Sequence, residues 1–225
     1  MRREPMRWQF GNIALAFASM LFAALAGAIH SNELREALER KPNLEHGGSL
    51  YESCAGCHQP DGAGAANGDI PIIAGQHYEV IIAQLVDFRR TERVEFRMNA
   101  FAASHRLESS QDLADVAAYI SSIPVRRTKE VGTGQFTALG AQAYRRACVN
   151  CHGASAEGNG QLRFPRLAGQ HYGYVIKQID MMIRGTRFNM SWDHSKLLKS
   201  LTDQEINGVA DYVARLRPDA ISPEN

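Results

Sequence analysis

Net charge is almost absent from this chain. Its 25 Lys+Arg stand against 24 Asp+Glu, a formal +1 at pH 7. So even a balance gives no electrostatic case for nucleic-acid binding. No stretch shows the alternating apolar/polar pattern of a half-buried strand. Only one apolar run approaches spanning length, so the chain can be tethered to a membrane at most once. Cysteine is limited to four residues, all within two short clusters. What is present is ordinary: 44% apolar and 22% charged residues in a chain of 225. That composition excludes bulk disorder and collagen-like structure, and the length suits one large domain or two small ones.

The N-terminus departs from the average. Arg2, Arg3 and Arg7 face a single acid, Glu4, and are followed by an apolar run from Ile13 to Ile29. A basic head before a greasy stretch is the order of an export signal. The run has 17 residues, long for a signal core and slightly short for a spanning helix. Ala24-Leu25-Ala26 and Ala26-Gly27-Ala28 both fit a cleavage site. Residues 1–29 therefore read as a signal peptide or a membrane anchor, and both readings stay open. Residues 30–43 are charged and helix-prone, and are expected to be a spacer. Arginines ahead of the run place the rest outside the cytoplasm.

The cysteines fall as Cys54-Ala55-Gly56-Cys57-His58 and Cys148-Val149-Asn150-Cys151-His152. Both are C-x-x-C-H, the haem c attachment motif. The spacing has a chemical reason. Each thiol adds to one haem vinyl group, and the adjacent histidine reaches the iron from the same side. Zinc motifs of this type usually lie much closer together than the 94 residues seen here. A thioredoxin-like pair would sit beside a strand–helix pattern, which is missing. Two disulfides are the remaining alternative. The expected cofactors are two haem c groups, attached at Cys54, Cys57, Cys148 and Cys151 and ligated by His58 and His152.

The same 94-residue offset carries Pro71 onto Pro165 and Ala74-Gly75-Gln76-His77-Tyr78 onto Ala168-Gly169-Gln170-His171-Tyr172. It also carries Gln84 onto Gln178, and slips to 93 where Tyr119 meets Tyr212. The chain is a tandem duplication. Composition divides it into a first domain at 44–123, a linker at 124–134, a second domain at 135–217 and a tail at 218–225.

Each unit reads as short helices: one leading into the motif, one from near His77 or His171, and one opening at Ser109 or Thr202. The segment Thr202-Asp203-Gln204-Glu205 has capping-box spacing. The expected fold is all-α, with a haem filling a core that would be thin for about 80 residues.

Each iron needs a second axial ligand. Met98 lies 40 residues after His58, and Met190 lies 38 after His152. Both precede the last helix of their unit and are the expected distal ligands. His105 and His194, also in these segments, are the rivals. His77 and His171 are expected to pack or to contact haem propionates. Pro71 and Pro165 each follow the motif histidine by 13 residues. Their carbonyls are placed to accept a bond from its Nδ1–H, which fixes the tautomer.

Two C-x-x-C-H units, each followed by P-x-[IL]-A-G-Q-H-Y, with a methionine before a final Tyr-bearing helix, resemble the cytochrome c4 family over about residues 46–217. The resemblance implies two cytochrome c folds about a pseudo-twofold axis. It also implies electron transport in the periplasm, often between a quinol-oxidising cytochrome complex and a terminal oxidase. Some members associate with membranes. An electron carrier rather than an enzyme is expected, because six-coordinate iron leaves no open site. A cytochrome subunit of a larger membrane oxidase or dehydrogenase is the alternative, and a di-haem peroxidase a third reading.

Overall fold

The computed structural model describes residues 32–65, 67–126 and 128–217. The leader at 1–29 and the tail at 218–225 lie outside them. Among the described residues the regular structure is helical, with one isolated bridge between Asn159 and Phe164. None of the described helices is long and apolar enough to cross a membrane.

Residues 32–39 form α1. The first unit continues with α2 (Leu44–His58), α3 (Tyr78–Arg89), α4 (Phe96–Ala102) and α5 (Ser110–Ser122). The second has α6 (Thr137–Ala147), α7 (Val149–His152), α8 (Tyr172–Ile183), α9 (Trp192–Lys199) and α10 (Asp203–Arg215). Each unit has its own core. Ile82, Val86, Leu113 and Val116 centre the first; Tyr144, Ile179, Val209 and Val213 centre the second.

The stretch expected as a spacer is instead docked. Ala37 of α1 is fully buried in the first core, with Leu34 and Leu38 packed beside it. That i, i+3, i+4 spacing makes one apolar stripe despite the charges around it. Glu33 pairs with Arg89 and Arg90, and Ser110 Oγ donates to Glu36 at 3.2 Å. The Tyr78 hydroxyl donates to the Ala37 carbonyl at 3.3 Å. The charges that suggested a solvated segment are partly spent on this contact.

In each unit the motif helix crosses the last helix at glycine. A Cβ on Gly47 would lie 2.1 Å from the Asp115 carbonyl oxygen, and one on Gly140 1.9 Å from the Gly208 carbonyl carbon. Capping boxes start both last helices, Ser109 with Asp112 and Thr202 with Glu205.

A buried carboxylate on each last helix holds the chain entering the motif helix. Asp115, 1% exposed, accepts from Asn43 N at 2.7 Å, His46 Nδ1 at 2.8 Å and Gln111 Nε2 at 2.7 Å. Asp211 accepts from Gly134 N, Thr137 Oγ1 and Arg215 Nε. Burial acts to raise the Asp115 pKa, but these hydrogen bonds hold it below the usual aspartate value. Its stabilisation is therefore present above about pH 4, the unfolded value, and lost as pH falls further through the folded one. Asp115→Asn should cost about 2 kcal/mol at pH 7. In urea titrations the gap to wild type should shrink at pH 3. A gap of constant size would mean that shape, not charge, is what Asp115 contributes.

The two units meet through reciprocal contacts. Gln170 accepts from Ile72 N at 2.9 Å and donates to Ile72 O at 2.8 Å. Its counterpart Gln76 accepts from Arg166 N at 2.9 Å and donates to Arg166 O at 3.0 Å. His77 Nε2 donates to Glu157 O at 2.7 Å, and His171 Nε2 to Ala63 O at 2.9 Å. Further out, Arg93 reaches Gln178 at 3.1 Å, while Arg187 reaches Gln84 at 3.4 Å. Every pair maps onto its partner by adding or subtracting 94, so the units are related by a pseudo-twofold.

Candidate functional site

In the first unit, Cys54, Cys57 and His58 end α2. Residues three and four apart on a helix are neighbours, so Cys54 stands beside both Cys57 and His58. In the second unit the helix breaks at Cys148, whose φ is −114°, and α7 carries Cys151 and His152. After each histidine the chain turns sharply at positive φ, 66° at Gln59 and 80° at Gly153. The turns are tied down alike. Tyr51 donates to Gln59 O and Tyr144 to Gly153 O, both at 2.7 Å. Gly64 N donates to His58 O at 2.9 Å, and Gly158 N to His152 O at 2.8 Å.

His58 Nδ1 lies 3.1 Å from Pro71 O, and His152 Nδ1 lies 3.0 Å from Pro165 O. A carbonyl only accepts, so Nδ1 carries the proton and Nε2 keeps its lone pair. Burial pushes both imidazole pKa values down, which favours the neutral, ligating form. Among the described residues Nε2 has no hydrogen-bond partner in either ring.

The four cysteines carry free thiols, Cys57 and Cys151 exposed and Cys54 and Cys148 partly buried. Burial pushes the Cys54 and Cys148 thiols up to about 11. Neither pair is joined as a disulfide. Two free thiols and a neutral, oriented imidazole on one turn are the donor set that covalent haem attachment requires. The residues fit two haem c groups. Among the described residues no His/Cys/Asp/Glu cluster suited to a free metal ion occurs, and the histidine rings present a single nitrogen each.

Met98, Met190, His105 and His194 lie in different settings. Met98 lies in α4 and packs against the first core. His105 is exposed. Met190 precedes α9 and packs against the second core. His194 lies within α9, with its ring centroid 6.3 Å from that of His152. The expected equivalence of Met98 and Met190 does not hold in the structure, because the segments before α4 and α9 differ in length. Glu95 caps α4 five residues after Arg90 closes α3; Ser191 caps α9 seven residues after Arg184 closes α8.

His77 and His171 were expected to pack or meet propionates. They stand at the starts of α3 and α8, as expected, His171 is packed at 4% exposure, and both rings bond across to the other unit. Gln76 and Gln170 were not singled out for any role. Their repetition beside the histidines was the available signal.

The cytochrome c family profile matches residues 44–124 and again 137–217. Cytochrome c4 of Azotobacter vinelandii is 30% identical over 184 residues, covering 72% of this chain and 84% of that one. The crystal structure of reduced recombinant cytochrome c4 from Pseudomonas stutzeri superposes with a TM-score of 0.70 at 26% identity. It covers 79% of this chain and 100% of its own. A thiosulfate dehydrogenase structure from Marichromatium purpuratum gives a TM-score of 0.66 at 27% identity, over 80% of this chain and 42% of that one. Two matching domains, two C-x-x-C-H turns with oriented histidines and a pseudo-twofold seam lead to one assignment: this chain belongs to the cytochrome c4 family of electron-transfer proteins and carries two haem c groups.

Proposed function

We propose that the protein carries single electrons between redox partners in the periplasm. In this reading Cys54, Cys57, His58 and Met98 would hold one haem. Cys148, Cys151 and His152 would hold the other. Bound there, each haem supplies one-electron Fe(III)/Fe(II) chemistry. The chain's own part is positional. Pro71 and Pro165 fix the histidine tautomers and increase their basicity.

One observation carries the reading. Pro71 and Pro165, which orient the two histidines, are each followed directly by a residue of the central seam, Ile72 and Arg166. The two proximal segments thus face each other across that seam, an arrangement suited to passing electrons between units. A basic head and apolar run at the N-terminus support export.

The test is a carbon monoxide titration of the reduced protein at neutral pH, after pyridine haemochrome quantitation. Two haems c per chain with no rapid binding is the expected result. Rapid stoichiometric binding would mean an open iron and would sink the carrier reading.

A second reading is a cytochrome subunit of a larger dehydrogenase. It is favoured by the likeness to the thiosulfate dehydrogenase chain, of which this protein spans 42%. Co-purification with a catalytic partner from detergent extracts distinguishes it from a free-standing carrier.

A further inference from the structure

We propose that His194, and not Met190, is the distal ligand of the second haem iron, opposite His152. The second centre is then bis-histidine while the first is His58/Met98. This rests on the di-haem reading above and adds to it an asymmetry between the units.

Register is the first argument. α4 and α9 are equivalent helices, and their caps align them. The Glu95 side chain accepts from Met98 N at 3.0 Å; the Ser191 side chain accepts from His194 N at 3.2 Å. One residue further on, Asn99 Nδ2 donates to Phe88 O at 2.6 Å, and Ser195 Oγ donates to Met182 O at 3.1 Å. Phe88 and Met182 are counterparts at the 94-residue offset. A turn later, Ala102 and Leu198 are the buried residues of each helix, at 0% and 5% exposure. All three alignments put His194 where the first unit has Met98. They put Met190 where it has Val94, a residue with no ligand atom, 43% exposed.

Distance is the second. An iron held between two imidazoles sets their ring centroids roughly 6 Å apart, from about 2 Å per metal–nitrogen bond and about 1 Å from nitrogen to ring centre. The His152 and His194 centroids are 6.3 Å apart. His152 Nδ1 is occupied by Pro165 O. The His194 ring is partly buried and makes no hydrogen bond among the described residues, which leaves its nitrogens uncommitted there.

Linear spacing hides this. α9 begins two residues late relative to α4, and α10 then follows three residues sooner than α5 does. The two changes nearly cancel, so counting from either end lands near Met190.

Chemistry gives the consequence. Methionine ligation raises the potential of a haem relative to histidine ligation. The second haem should therefore titrate below the first, and an electron should rest on the first unit.

The experiment reads the far-red absorption band of methionine-bound ferric haem in the purified holoprotein, normalised to haem counted as pyridine haemochrome. Two haems with band intensity for one methionine is the expected result. Met190→Leu should leave that band unchanged, and Met98→Ala should abolish it. His194→Met should double it. Two haems with a full two-methionine band, halved by Met190→Leu, would overturn the assignment. Fewer than two haems c would overturn the di-haem reading itself, and the assignment with it.

Discussion

Gly140→Val is expected to unfold the second unit at temperatures where the first remains folded. The added Cβ would lie 1.9 Å from the Gly208 carbonyl carbon and 2.0 Å from its oxygen. Both are backbone atoms of α10, so no side-chain rotation relieves the contact. The helices must separate, and they hold Tyr144, Val209 and Val213 between them. Overpacking of this kind costs about 3 kcal/mol or more, well above the gain in helix propensity from losing glycine, about 1 kcal/mol at most. For a unit of this size that is a drop of roughly 15 °C in Tm. Gln142→Val, at an exposed position of the same helix, should shift Tm by little. Equal shifts for the two variants would mean that the crossing tolerates a side chain there.

The second large effect is expected at the seam. Replacing Gln76 and Gln170 together with alanine strands four backbone groups: the N–H and C=O of Ile72 and of Arg166. An unsatisfied buried group costs about 1–3 kcal/mol, so the pair should weaken docking by about 4 kcal/mol or more. Each glutamine also accepts from the amide of the next residue, His77 or His171, at 3.0 Å. The double variant should melt in two transitions instead of one and show a larger radius of gyration in solution scattering. Each haem should keep its absorption spectrum, because neither glutamine touches a ligand. A single transition at the wild-type temperature would show that Arg93, Arg187 and their partners suffice to hold the units.

Much of the site was legible from spacing. C-x-x-C-H encodes its own chemistry, since the thiols and the histidine must share one turn. The proline carbonyls were found because a repeated offset of 13 from the histidine implies a repeated contact. The helix from His77, its twin from His171 and the capping-box start at Thr202 were likewise readable from local pattern. What linear spacing could not reveal was how loops of unequal length re-register α4 and α9. Spacing treats an insertion and a later deletion as nothing, whereas cap bonds and burial do not. The docking of α1 escaped for a different reason. Leu34, Ala37 and Leu38 form a narrow stripe among six charged residues from Glu33 to Lys41, and charge dominates a reading by composition. The seam escaped because Gln76 bonds to backbone, and backbone acceptors leave no mark in side-chain identity.

The seam also says something about how such a chain can arise. Gln76 grips the peptide of Arg166, and Gln170 grips that of Ile72, which stand at matching places in the repeat. An interface in which each half is the same set of residues is isologous, the kind a two-fold homodimer uses. A single unit with the proline, the following peptide and the glutamine already owns both halves of the contact. Fusing two copies converts a concentration-dependent association into an intramolecular one, at an effective concentration set by a short linker. Once fused, the copies are free to diverge everywhere except the seam. A changed iron ligand in one of them is the divergence that symmetry alone would have forbidden to a homodimer.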